Sequence, residues 1–318
     1  CHKSVRTFYS LFKSSAEMRI NMNYIIETKE LYKHYGDKIA VNKMSLHIKK
    51  GDIYGLIGKN GAGKTSLMKL LLGLTSPNSG QIRLFDNDNL NEGRQKIGSL
   101  IEAPALYKNE TAFENMKRFS ILAGSNHNQE INHILQLVGL GDTGKKKCGS
   151  FSLGMRQRLG ITIALLGNPE ILILDEPING LDPAGIKEIR DIIVQLNKQG
   201  VTFLISSHLL DELGKIATNY GIVNNGQLVE EITAQELQTK CRSSLVIATD
   251  DAKKAEMILK TADSSIQIES TDQWVMISST VTDSSELNRI LVHSGVRVYE
   301  MKNESIGFED FFIERIGK

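Results

Sequence analysis

Apolar positions recur along this chain in blocks of two different periods. Between residues 24 and 57, short alternating or β-branched runs such as YIIETKEL and SLHIKKGDIYGLIG predict strands separated by turns. KTSLMKLLLGL, directly after a glycine-rich loop, carries its apolar residues at helical spacing, and GQIRLFD reads as a further strand after the turn SPNSG. Residues 109–170 are mostly helical in pattern: TAFENMKRFSILAG, NQEINHILQLVGL and MRQRLGITIALLG. The two periods then alternate, with ILILDEP as a buried strand, AGIKEIRDIIVQLNKQG as a helix and VTFLISS as a strand. Such alternation predicts an α/β fold with a largely parallel sheet covered by helices. The helical block interrupts it and is expected to form a subdomain.

After about residue 240 the character changes. SSLVIATD, DAKKAEMILKTA, SIQIES, QWVMISS, SSELNRILVHSG and VRVYEMK read β-α-β-β-α-β, the ferredoxin-like order, and GFEDFFIERIGK adds a last amphipathic piece. The expected organisation is therefore a large α/β domain over 22–238, with its helical subdomain at about 103–168, and a small α+β accessory domain over 239–318. Residues 1–21 are basic, without an acid until Glu17, and have no long apolar segment of the kind a secretory signal needs. They are expected to be upstream sequence or an unfolded extension.

Composition narrows the function classes. Apolar residues make up 41% and charged residues 24%, an ordinary globular profile. A formal net charge of +1 gives no global electrostatic case for nucleic acid. Cys1, Cys148 and Cys241 show neither metal-like spacing nor the even count of a disulfide framework. No apolar run approaches the roughly 20 residues of a membrane-spanning helix, so any crossing is expected of another chain.

GLIGKNGAGKTS contains the P-loop pattern Gly58-x-x-x-x-Gly63-Lys64-Thr65, after a strand and before a helix as that motif requires. In such a loop, here Gly58, Lys59, Asn60, Gly61, Ala62 and Gly63, backbone N–H groups curl around phosphate oxygens and the helix N-terminus adds its positive end. Lys64 would bridge β- and γ-phosphates, the Thr65 hydroxyl would ligate Mg²⁺, and Ser66 would add a hydrogen bond to phosphate. ILILDEP puts Asp175 and Glu176 at the C-terminal end of a buried strand, where ligands collect in α/β sheets. Asp175 would hold Mg²⁺ through water, and Glu176 would polarise the attacking water.

With SFSLGMRQR before that strand, INGLDP after it and LISSHLL beyond, the motif order resembles an ATP-binding-cassette ATPase over about residues 22–235. The resemblance implies a RecA-like P-loop NTPase core with an antiparallel β edge and an inserted helical subdomain. It implies that Tyr35 stacks on adenine, that His208 is the switch histidine meeting γ-phosphate and attacking water, and that Asp182 communicates across a dimer interface. Aligned to the signature Leu-Ser-Gly-Gly-Gln, residues 151–155 keep Ser152 and Gly154, which would meet the γ-phosphate bound by the other subunit. Leu153 and Met155 replace a glycine and the glutamine. Glu102 in IGSLIEAPALY stands where most members carry a glutamine that senses Mg²⁺ and the membrane partner. This departure resembles the variant of bacitracin-export and lantibiotic-protection ATP-binding subunits, as do GDIYGLIGKNGAGKT, FSLGMRQRLGI, ISSHLLDE and the C-terminal extension ending GFEDFFIERIG.

The resemblance thus implies the ATPase subunit of a bacterial exporter of antimicrobial peptides. It would bind ATP and Mg²⁺, pair head to tail with a second copy, dock on separate membrane permease subunits at the cytoplasmic face, and bind no nucleic acid. A general drug exporter, an importer subunit, a sensory complex and a non-transport cassette ATPase of translation or DNA repair stand as alternatives.

Overall fold

Five consecutive residues of one strand, Ile53–Ile57, are all buried, and so are the five of Ile171–Asp175 and the six of Thr202–Ser207. Strands buried on both faces need cover on both sides, which places them at the centre of a parallel sheet. The computed structural model describes residues 24–87, 89–124, 128–241, 243–263, 266–277, 284–305 and 308–316. The expectation for residues 1–21 lies outside the described residues. The chain divides into two compact units, with the break between Ile232 and Thr233.

The first unit opens with β1 (Tyr24–Tyr35), β2 (Lys38–Met44), β3 (His47–Lys49), β4 (Ile53–Ile57), α1 (Lys64–Leu71) and β5 (Ser79–Leu84). It continues with α2 (Leu90–Arg94), β6 (Ile97–Leu100), α3 (Ala112–Leu122), α4 (Asn128–Leu137), α5 (Leu153–Ala164), β7 (Ile171–Asp175) and α6 (Pro183–Lys198). β8 (Thr202–Ser207), α7 (Leu210–Gly214), β9 (Asn219–Asn224) and β10 (Gln227–Thr233) close it. Its main sheet has the order β10-β9-β4-β8-β7-β6, and β4 pairs in parallel with β8 and β9, as does β7 with β6 and β8. A second, antiparallel sheet is built on β1, which pairs with β2, β3 and β5. Ile26, Leu31, Val41, Met44 and Ile48 of that sheet share one buried cluster with Leu67 and Leu71 of α1 and with Tyr54 and Leu56 of β4. The loop between β4 and α1 is thus held from both sheets.

α3 packs against α4 and α5, and α5 reaches β6 and α6. A capping box starts α3: Thr111 accepts from the Glu114 amide, and Glu114 accepts from the Thr111 amide. Fully buried Asn115 exchanges hydrogen bonds with both backbone groups of Tyr107 and donates to the Thr111 carbonyl, which fixes the loop preceding the helix. Where α5 meets β6, a Cβ on Gly98 would stand 1.9 Å from the Ala164 carbonyl oxygen. Only glycine allows that approach.

The second unit runs α8 (Ala234–Lys240), β11 (Ser243–Thr249), α9 (Ala252–Ala262), β12 (Ile268–Ser270), β13 (Trp274–Ile277), α10 (Ser284–His293), β14 (Val298–Ser305) and α11 (Phe308–Ile316). Its strands pair antiparallel in the order β12-β13-β11-β14. Leu245, Ile247, Val275 and Ile277 of the sheet pack on Ala255 and Leu259 of α9 and Leu287 and Leu291 of α10. β12 is shorter than SIQIES suggests, because only Ile268, Glu269 and Ser270 find partners on the four-residue β13.

Candidate functional site

β4, β7 and β8 lie side by side and in parallel, so their C-terminal ends form one rim. The loop 58–63 follows β4, Glu176 follows β7 and His208 follows β8. The loop's path depends on its glycines. A Cβ on Gly58 would lie 2.5 Å from the Val223 carbonyl oxygen, and Gly63 (φ 110°) would put one 2.3 Å from the Ala40 carbonyl oxygen. The loop wraps a cavity of about 220 Å³ lined by Tyr35, Lys38, Ala40, residues 59–66 and Glu176. Tyr35 at the end of β1 is therefore brought to the same hollow as the loop, with Lys33 Nζ 5.0 Å above its ring.

Lys64, the first residue of α1, is 5% exposed. Its Nζ donates to the Gly58 carbonyl at 2.6 Å and lies 3.3 Å from Glu176 Oε1. That second contact is close enough for charge attraction but poorly aligned, and Oε1, though buried, accepts no hydrogen bond. Glu176 Oε2 faces His208 Nδ1 at 2.8 Å. A carboxylate only accepts, so Nδ1 carries a proton toward Glu176, and Nε2 is left for a further partner. The Thr65 hydroxyl donates to Asp175 Oδ2 at 2.7 Å. A hydroxyl and an anionic oxygen so juxtaposed are hard oxygen donors of the kind Mg²⁺ takes alongside substrate phosphates. Together the rim offers a fixed ammonium, a glycine-rich loop around the cavity and two carboxylates to a phosphorylated ligand.

Sequence reasoning missed Ser206. It is fully buried, donates to Asp175 Oδ1 at 2.5 Å and accepts the Glu176 amide at 2.8 Å. The only signal was a serine pair closing the apolar run VTFLIS, and nothing local says which acid it meets. Lys69, one turn after Thr65, was also missed.

Glu102 goes elsewhere than to Thr65 and Asp175. Its positive φ of 62° and the nearby Lys69 hold its carboxylate in an ion pair, with Lys69 Nζ at 2.8 Å. The Lys69 hydrogen bond and charge lower the Glu102 pKa, and the Lys69 pKa rises for the same reason. Glu102 does line a second, larger groove of about 710 Å³ together with Asp175, Glu176, Leu153 and Arg156.

Ser152 and Gly154 are absent from the walls of both cavities. Ser152 is the N-cap of α5 and its Oγ accepts from the Met155 amide at 3.2 Å, so the helix begins at Leu153, two residues before the position expected from the sequence. Buried Phe151 anchors the residue before the cap. Asp182 is likewise an N-cap, of α6, accepting from the Gly185 amide at 3.1 Å.

This geometry has close parallels among known proteins. A family model described as ABC transporter matches residues 41–179, the stretch from β2 to just past Glu176. The bacitracin transport ATP-binding protein BcrA of Enterococcus faecalis is 40% identical over 93% of this chain and 97% of its own length. Its counterpart in Bacillus licheniformis is also 40% identical, over 93% and 98%. The lantibiotic transport ATP-binding protein SrtF of Streptococcus pyogenes is 44% identical over 65% of this chain and 90% of its own. Among solved structures, cbiO1 from Clostridium perfringens, part of the ABC transporter complex cbiONQ, superposes with a TM-score of 0.61 at 27% identity, covering 68% of this chain and 90% of that one. An ATP-binding cassette of an ABC transporter in its ADP conformation gives 0.61 at 25% identity, covering 67% and 92%. The chain belongs to the ABC transporter family as one of its ATP-binding subunits, an ATPase coupled to transport.

Proposed function

We propose that this subunit powers a bacterial exporter that removes an antimicrobial peptide of the bacitracin or lantibiotic type from the membrane. The observation that carries the reading is the pairing of the Lys64–Glu176–His208 cluster with identity of 40% to two bacitracin transport ATP-binding proteins along nearly their whole length. No helix among the described residues is long and apolar enough to cross a membrane. The membrane would be crossed by separate permease subunits, with this chain on their cytoplasmic face and paired head to tail with a second copy. Nucleic acid has no part in the reading.

In this reading ATP lies over the loop, with Tyr35 against adenine. The loop amides of Gly58, Lys59, Asn60, Gly61, Ala62 and Gly63 hold the phosphates, and Ser66 adds a hydrogen bond. Lys64 leaves Glu176 Oε1 for the β- and γ-phosphates, which frees that buried oxygen to accept from the attacking water. His208, already oriented through Nδ1, turns to the γ-phosphate side. Mg²⁺ would be held by Thr65 and, through water, Asp175, with Glu102 reaching it only by leaving Lys69; when bound it neutralises charge on the phosphate oxygens. Ser152 and Gly154 complete the partner's site, and Asp182 faces the partner.

We also assign the described residues of 22–238 to the ATPase domain, about 103–168 to its helical subdomain, and 239–318 to an accessory domain. The accessory domain is of ferredoxin-like type: the order β12-β13-β11-β14, all antiparallel, with two helices on the sheet, supports that. The structural break at Ile232/Thr233 falls six residues earlier, where Thr233 caps α8.

The test is resistance. Replacing Lys64 by Ala in the cell that carries this protein should lower the inhibitory concentrations of bacitracin and of lantibiotics, with the protein level unchanged. Unaltered resistance to every such peptide refutes the export reading. Lost induction of a response with clearance intact would make it a sensory complex instead.

A further inference from the structure

We propose that Ser206 is a positioning residue that sets both acids of the site at once. The inference rests on the nucleotide reading above and concerns a residue that this reading leaves without a role.

A serine hydroxyl has one proton to give and two lone pairs to offer. Ser206 gives its proton to Asp175 Oδ1 at 2.5 Å and takes the Glu176 amide at 2.8 Å. The other Asp175 oxygen accepts from Thr65, so both oxygens of this carboxylate are fixed and its plane cannot turn. Glu176 sits at φ 48°, a left-handed conformation that a residue with a Cβ adopts only when its surroundings hold it there. The Ser206 acceptor holds it there, and that turn sends the Glu176 side chain to Lys64 and His208. The register delivers the serine to this place, since Ser206 is the Cα partner of Asp175 in the parallel ladder between β8 and β7. Ser206 itself lines neither cavity and acts through the two acids that do. Such outer partners of a metal-binding carboxylate commonly change metal affinity or activity by about 10–100-fold when removed.

Ser206→Ala removes one oxygen from a fully buried position and leaves the strand's shape. In the full-length chain it should bind ATP in the presence of EDTA within about twofold of the wild type. The Mg²⁺ concentration for half-maximal turnover should rise about tenfold, and kcat should fall about 10–100-fold. Independently of turnover, amide hydrogen exchange at Glu176 should speed up at least about tenfold, because its acceptor is gone. Ser206→Thr keeps the hydroxyl and should restore the Mg²⁺ dependence and the protection. Wild-type Mg²⁺ dependence, kcat and exchange in Ser206→Ala overturn the proposal. Loss of EDTA-state ATP binding in step with the melting temperature also overturns it, since that marks a merely structural serine. Lys64→Ala, measured alongside, reports on the nucleotide site alone: wild-type ATP binding and hydrolysis in that variant refute the site, whatever Ser206→Ala does.

Discussion

Glu176→Gln separates the two tasks the geometry gives this side chain. Before a nucleotide is bound, the carboxylate balances the ammonium of Lys64; in the proposed mechanism it orients water during hydrolysis. At 3.3 Å and an effective dielectric of 20, the attraction between unit charges is about 5 kcal/mol. Desolvation of both groups takes back most of that, because Lys64 and Glu176 side chains are only 6% and 20% exposed. A net loss of about 1–3 kcal/mol is therefore expected in the nucleotide-free variant, a few degrees in melting temperature for a chain of this size. Bound ATP reverses the sign. Its phosphates take over Lys64, and the variant no longer places a carboxylate against them. ATP affinity should accordingly rise by about tenfold, or about 1.4 kcal/mol, while turnover falls by about 10²–10⁴-fold with the general base gone. The assay pairs thermal melts, with and without ATP·Mg²⁺, with phosphate release. A variant that hydrolyses at the wild-type rate refutes the catalytic assignment. One that binds ATP more weakly than the wild type refutes the competition argued from the 3.3 Å contact.

Other perturbations probe different parts of the chain. Ser152→Arg should abolish hydrolysis while each monomer still binds ATP; Ser152→Asp sharpens this, because Asp preserves an N-cap acceptor for α5 yet sets a negative charge against the partner's phosphate. Turnover surviving in both variants would leave Ser152 a cap and nothing more. Tyr54 is 1% exposed and donates to Glu231 Oε1 at 2.7 Å; burial first, and then the Glu231 charge, push its pKa well above the usual value. Above about pH 10 the unfolded tyrosine ionises and the native one does not, so stability falls by about 1.4 kcal/mol per pH unit. Tyr54→Phe should melt lower at neutral pH and lose less stability on going alkaline, and parallel pH–melting curves would contradict this. Gly98→Ala sets a methyl group 1.9 Å from the Ala164 carbonyl oxygen and 2.5 Å from Leu172 Cδ2. It should destabilise the first unit by about 3 kcal/mol or more, and a denaturant midpoint equal to that of the wild type would show that α5 slides freely over β6.

The parts of this site that could be read from the sequence are those whose chemistry is local. The loop from Gly58 to Thr65 carries its own glycines, ammonium and hydroxyl within eight positions, and the buried runs ending at Asp175 and at Ser207 announce the strands that bring Glu176 and His208 to the same rim. Tyr35 entered only through the family resemblance, and the structure seats it in the loop's cavity. Contacts set by register were not legible. Ser206 meets Asp175 across 31 residues because two parallel strands align at that point, and no periodicity encodes the alignment. The pair of Glu102 and Lys69 joins two exposed side chains 33 residues apart, and sequence spacing says nothing of it. Short elements such as α2 and α8, of five and seven residues, lack the length over which a helical period can be read.

A cap and a phosphate ligand look alike in a sequence because they use the same residue types, and the cap hydrogen bond of Ser152 leaves its hydroxyl proton for the proposed second role. The Ser152 oxygen accepts from the Met155 amide through a lone pair, and the hydroxyl proton takes no part in that bond. Among the described residues Asp182 commits Oδ1 to the Gly185 amide, and its Oδ2 stays outside that bond. Capping fixes each side chain at the start of its helix without using its second valence. For Ser152, that second valence is a donor at the positive end of α5, the polarity a phosphate requires. For Asp182 it is an acceptor, which suits an amide or hydroxyl of a partner and would repel a phosphate. In the proposed dimer the two N-caps would therefore separate by sign into a ligand-facing and a protein-facing group, and Ser152→Asp exchanges one sign for the other while leaving the helix start in place.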